Sequence, residues 1–209
     1  MSTTQTSSSH GKLIVAVIAA ALVVVLALVS AFIWPGWALN KGDEASTQGT
    51  TTSQGASQDA SEPTTPSIDA VALPDDASEL LKAMPDSVLN FARTKADAST
   101  SWSGASPVEE YTLTYSTGKD GQDITLKVAQ WSQSDDAQSQ YDNLTGAMTG
   151  KELGSGNVKV SGKTTGAYSA KADPDDDTKA VAVWRNDTVV FYATGAKNDI
   201  QRFYQQFPL

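Results

Sequence analysis

The sequence predicts an α+β fold, in which one antiparallel sheet carries packed helices behind an apolar amino-terminal run and a polar linker. Three observations predict it. Two segment pairs alternate apolar and polar residues with period two across short polar turns. Three other segments carry apolar residues at helical spacing. The chain contains no cysteine, so packing rather than a disulfide framework must stabilise it.

The first element is the uncharged apolar run from Leu13 to Trp34, 22 residues long. As a helix it would span roughly 33 Å, about the hydrocarbon thickness of a bilayer. Pro35-Gly36 ends it, and Phe32, Trp34 and Trp37 fall where an interfacial aromatic belt would lie. Residues 13–34 are therefore expected to be a transmembrane helix partnered by the lipid bilayer, with residues 1–12 a short cytoplasmic tail. The competing expectation is a cleaved leader. Its apolar core would be longer than the usual ~7–15 residues, although Val29-Ser30-Ala31 offers small residues for processing. Basic residues on the two sides nearly balance, with Lys12 before the run and Lys41 after it. The short tail and the Ser/Thr-rich continuation favour a single-pass arrangement in the cell membrane with an extracytoplasmic carboxyl domain.

Residues 35–70 are expected to form a disordered linker. From Asn40 to Asp69, Ser, Thr, Gln, Gly and Ala dominate, and prolines aside Ile68 is the one apolar residue larger than alanine. Such a stretch cannot offset the entropy of ordering. A coil of ~30 residues would place its ends roughly 30 Å apart.

Residues 71–209 have the composition and length of one ordinary domain. Pro74-Asp75-Asp76 is expected to start a short helix with Leu80, Leu81 and Met84 inward, ended by Pro85. Ser87 to Arg93 reads as a first strand, and Ser99 to Pro107 as an irregular connection. Tyr111, Leu113 and Tyr115 then alternate with polar residues, as do Ile124, Leu126 and Val128. The Gly118-Lys119-Asp120-Gly121 turn joins them into a hairpin. Ser134-Asp135-Asp136 has the hydroxyl and acids of a helix start, and Ala137, Tyr141, Leu144 and Met148 share one helical face up to Gly150. Val158 and Val160 mark a strand, with another over Ala167 to Ala170. Lys179 to Arg185 and Thr188 to Thr194 pair across Asn186-Asp187. A closing helix carries Ile200, Phe203, Tyr204 and Phe207. Each half reads as strands followed by a helix.

This element order, together with Trp131-Ser132-Gln133-Ser134-Asp135-Asp136-Ala137 and Ala182-Val183-Trp184-Arg185-Asn186, loosely resembles exported bacterial domains of PsbP-like fold. The apolar run plus Ser/Thr stalk is similar to uncharacterised single-pass exported proteins of Gram-positive bacteria. The resemblance implies a fold and a location in the bacterial cell envelope and no particular activity.

Composition excludes more chemistry than it names. The sole histidine, His10, precedes the apolar run, so residues 71–209 lack the imidazole of a Ser-His-Asp triad or of an ordinary zinc site. The formal charge is −9 overall, and residues 71–209 hold 19 acids against 13 bases, which argues against nucleic-acid partners. Gly162-Lys163-Thr164 echoes the end of a phosphate loop, but Asn157 stands where that motif needs its first glycine. Ser161 and Lys163 in the same turn are a formal Ser-Lys pair. Asp173, Asp175 and Asp177 alternate as calcium ligands do, yet Thr178 replaces the loop glycine and Trp184 the bidentate glutamate. A solvated acidic loop is the competing reading. Glu109-Glu110 and Asp135-Asp136 are adjacent acids, the first pair expected on opposite strand faces and the second at a helix dipole.

Trp131 and Trp102 are the candidate binding surface, with core packing the alternative. No residue is assigned as catalytic or cofactor-binding, and no cofactor is expected. The expected function is a tethered, non-catalytic domain that binds an unknown protein or cell-envelope component. The alternatives are a carboxylate-dependent envelope hydrolase or transferase, which needs two carboxyls roughly 5–10 Å apart, and a carrier of an apolar ligand.

Overall fold

Alternating side chains build the two faces of the sheet, and what covers each face places the rest of the chain. The computed structural model describes residues 62–209. The apolar run at 13–34, most of the expected linker and His10 lie outside them. The elements are α1 (Glu79–Ala83), β1 (Ser87–Val88), β2 (Phe91–Ala98), a 3-10 turn (Ser103–Ala105), β3 (Glu109–Ser116), β4 (Ile124–Gln130), α2 (Ser134–Ala147), β5 (Glu152–Val160), β6 (Lys163–Ala172), β7 (Lys179–Asn186), β8 (Val189–Ala196) and α3 (Lys197–Gln206). The strands form one antiparallel sheet of eight in the order β1-β2-β3-β4-β8-β7-β6-β5. The fold is α+β. Among the described residues no helix is long and apolar enough to cross a membrane.

One face carries the main core. Leu113, Leu126, Ala193, Ala182 and Ala170 form a row across five strands, beside the row Tyr111, Val128, Phe191, Trp184 and Tyr168. The three alanines leave room for the rings of α3, so Phe203 meets Tyr115 at 5.1 Å and Phe207 meets Trp184 at 5.2 Å. Leu80, Leu81 and Met84, in and just after α1, are buried in the same cluster. The opposite face carries a smaller core, in which Ala137 and Tyr141 of α2 pack on Ala129, Val183 and Val190. A rotation that exchanges β4 and β8 keeps each face of the sheet. Because α2 and α3 occupy opposite faces, the two halves are not equivalent about that junction.

Several boundaries differ from the sequence expectation. Pro74-Asp75-Asp76 forms a turn closed by the Ala77 amide on the Pro74 carbonyl at 3.0 Å, and α1 starts after Ser78, whose hydroxyl caps the Leu81 amide at 3.2 Å. The expected single strand Ser87–Arg93 is a tight hairpin instead: Val88 pairs with Phe91, and Leu89 turns the chain at φ 52°. Leucine is a poor residue for left-handed backbone, which is why no turn signal shows there. Gln133, not Ser134, sits at the α2 N-cap and makes no side-chain cap bond. The last hairpin turns on Asp187-Thr188, one residue later than expected, with Asn186 paired to Val189.

Residues 62–70, read from composition as the end of the linker, lie along the domain. Ser67 Oγ donates to the Thr117 carbonyl at 3.1 Å, and next to them the Val71 amide donates to the Arg93 carbonyl at 2.8 Å. Arg202 holds Glu62 and the Pro63 carbonyl.

Candidate functional site

The connection between β2 and β3 is held in place by a buried carboxylate. Glu110 is 5% exposed, and it accepts the Ser99 hydroxyl at 2.7 Å and the Trp102 amide at 2.8 Å. That pair of charge-assisted bonds fixes the loop and sets Trp102 against the sheet. Glu109 faces the other way and accepts the Tyr111 hydroxyl at 3.0 Å. Alternation thus separates the two acids onto opposite faces. Neither forms half of a carboxylate pair with the other.

Trp131 is 2% exposed and therefore interior. Its indole N–H donates to the Ala105 carbonyl at 2.8 Å, and its ring stacks on Trp102 at 6.3 Å and 28°. Trp131 supports the loop from below. Trp102, half-buried, is the ring on the outer side of the pair, and it also meets Tyr192 edge-on at 6.4 Å. Burial and the nearby negative charge of Asp173 push the Tyr192 hydroxyl above its ordinary pKa.

Beyond this aromatic border the sheet face is polar. Thr114, Thr125 and Thr194 stand opposite one another on β3, β4 and β8, next to the row Thr112, Lys127 and Tyr192. Lys95 and Asp97 continue the two rows on β2 and pair with each other at 2.6 Å. The threonines, Lys127 and Tyr192 are half-buried side chains that neither core cluster absorbs, except that Tyr192 borders the smaller one. The result is a set of hydroxyls at strand spacing, bordered where Trp102 meets Tyr192. Sequence alternation already places these residues opposite the core rows. Alternation does not tell that α2 packs mainly over β7 and β8 rather than over β3 and β4, where Thr112, Thr114 and Thr125 stand.

The acidic loop between β6 and β7 is organised by its own backbone. Asp173 Oδ1 accepts the amides of Asp175 and Asp176 at 2.9 and 3.2 Å. Asp176 Oδ1 accepts the Thr178 amide at 3.1 Å and also the Thr178 hydroxyl, while its other oxygen pairs with Lys179 at 3.2 Å. These bonds hold the Asp176 carboxyl below the usual range, the Thr178 hydroxyl most of all. Lys197 Nζ donates to the Asp177 carbonyl. Asp173, Asp175 and Asp177 thus share a loop, and among the described residues no group of three or more His, Cys, Asp or Glu side chains is placed to hold one metal ion.

The remaining sequence features are also placed. Ser161 and Gly162 form the β5–β6 turn, both at positive φ, with Val160 paired to Lys163. Lys163 and Thr164 open β6 as exposed residues, with no helix after them to present to a phosphate. Asp135 and Asp136 are exposed in the first turn of α2, where the helix dipole favours them.

No protein-family model matches this chain, and no curated protein matches it. Among solved structures it is similar to a GTP binding regulator from Thermotoga maritima at 9% identity, covering 56% of this chain and 78% of that one, with a TM-score of 0.36. A likeness of that size carries neither fold nor function from one protein to the other.

Proposed function

We propose that this chain is a membrane-tethered extracytoplasmic binding domain, held at the bilayer by residues 13–34 and non-catalytic in itself. Its binding surface is the polar sheet face bordered by Trp102 and Tyr192, and its partner is a protein or cell-envelope component. One observation carries the reading. An array of hydroxyls with Lys127, continued by the Lys95–Asp97 pair, lies beside a positioned aromatic ring, on strands away from the main contacts of the described helices. Such a surface offers hydrogen bonds and a rigid aromatic contact, the usual materials of a recognition patch.

The test is site-specific photocrosslinking of the full chain in intact cells. A crosslinker at Thr112 or Lys127 is expected to capture a discrete adduct, and one at the exposed Gln205 is not. The Trp102→Ala variant is expected to reduce the adduct without unfolding the domain. Equal labelling from both faces, or protection of residues 71–209 from protease added to whole cells, would refute the proposal.

A further inference from the structure

Residues 62–71 lie against the domain as a strap with bends at Thr65, Ser67 and Ile68, and it is fastened at three separate places. At its start, Arg202 Nε meets Glu62 Oε2 at 2.6 Å, and Arg202 Nη2 reaches the Pro63 carbonyl at 2.7 Å. The same guanidinium touches Asn90 of the β1–β2 turn at 3.2 Å and stands 3.9 Å from Asp199. Midway, Ser67 bonds Thr117, and Ile68 lies over Gly118, where an added Cβ would come within 2.9 Å of its Cγ2. At its end, Val71 exchanges bonds with Arg93, amide to carbonyl at 2.8 Å and carbonyl to guanidinium at 3.2 Å.

These fastenings are unequal. The Arg93 end sits on a buried cation, whereas Arg202, Glu62 and Asp199 side chains are 23%, 56% and 16% exposed. Glu62 to Thr65, Ser67 and Asp69 are exposed, so the front of the strap buries little apolar surface. An ion pair with one exposed partner, Glu62, and a few hydrogen bonds form a weakly held local unit, one that opens without global unfolding.

We infer that residues 62–69 form a releasable latch closed by Arg202, which sets where the preceding chain leaves the domain and how far it reaches. Closed, Glu62 lies beside α3, on the face opposite Trp102. Open, the chain pivots near Val71 and gains about 25–30 Å of contour, at ~3.3 Å per residue. The latch itself stands on the contacts above. Its consequence for reach from a membrane rests on the proposed tether.

Spin-label mobility on the full chain in detergent micelles tests the latch separately from the tether, because the chain has no cysteine to compete with a single label at Thr64→Cys or, as a reference on α2, at Ser139→Cys. In Arg202→Gln, the mobile fraction of the label at position 64 is expected to rise severalfold, with the label at position 139 unchanged. Glu62→Gln, a surface change that leaves Arg202 in place, is expected to give a smaller rise at position 64. Unchanged mobility at position 64 in both variants overturns the inference. So does a fully mobile label there in the otherwise unaltered chain, or an equal rise at both positions.

Discussion

Arg93 and Asp86 form an ion pair at 2.7 Å in which the guanidinium is 1% exposed and the carboxylate 80% exposed. The cation is inside and its counter-ion is outside. Besides Asp86, the guanidinium donates to the carbonyls of Met84 and Pro85, each at 3.0 Å, and of Val71 at 3.2 Å. It therefore gathers the strap, the end of α1 and the approach to β1 onto β2. Arg93→Met is expected to cost about 3 kcal/mol, because several carbonyls lose their donor at once. Asp86→Asn keeps an oxygen acceptor at the surface and is expected to cost about 1 kcal/mol. Urea denaturation of the two variants checks the ranking, and equal losses would reject it.

Glu110 positions Trp102 through two bonds rather than through chemistry of its own. Replacing it by Gln keeps an oxygen for the Trp102 amide but turns the Ser99 hydroxyl from donor to acceptor and removes the charge from both bonds, with an expected cost of about 1–2 kcal/mol. The loop also carries Ala105, which accepts from the Trp131 indole. A proton–nitrogen spectrum of Glu110→Gln is thus expected to shift the Trp131 indole resonance. An unmoved indole signal would show that the carboxylate does not hold this loop.

Alkaline stability follows from the buried phenols. Tyr115 donates to the Pro85 carbonyl at 2.8 Å, and burial, partly offset by Arg93, raises its pKa well above the ordinary 10.0. Burial raises Tyr111, Tyr141 and Tyr192 as well. Above about pH 10 the unfolded chain releases these protons while the folded chain retains them, so stability falls as pH rises. Each fully retained proton contributes a slope of about 1.4 kcal/mol per pH unit. Tyr115→Phe is expected to cost about 1 kcal/mol at pH 7 and to make the decline above pH 10 shallower by one such proton. Denaturation midpoints at about pH 7 and across about pH 9–11 measure both.

The β5–β6 turn is suboptimal as built. Ser161 lies at φ 50° and Gly162 at φ 79°, the geometry for which Asn-Gly is the preferred pair. Ser161 is exposed, so Ser161→Asn changes little except backbone preference. A gain of about 0.5–1 kcal/mol is expected, raising Tm by about 2–4 °C. A lower Tm would contradict the turn assignment.

Legibility tracked how local the cause was. The hairpin of Tyr111–Tyr115 with Ile124–Val128 was readable because period-two alternation and a Gly-rich turn both lie within one short stretch. The α3 stripe was readable for the same reason, and Ile200 and Phe203 are buried as its spacing requires. The β1–β2 hairpin was not, since Leu89 adopts left-handed backbone under the pull of its packed neighbours rather than from preference. Arg93 looked like the polar end of a strand. Its burial depends on carbonyls contributed by segments up to 22 residues away. Of the two candidate surface rings, Trp102 is half-buried, while the interior position of Trp131 depended on where the 3-10 turn folds.

The sequence by itself determined the alternating rows, the helical stripes and the absence of thiol and, past His10, of imidazole chemistry, because each is a property of neighbouring residues. Only the tertiary structure decided that α2 and α3 cover opposite faces and that α2 packs mainly over β7 and β8. It alone also showed Glu110 clamping a loop and Arg202 reaching back to Glu62. Those outcomes depend on contacts between distant segments, whose balance of desolvation and pairing no local pattern encodes.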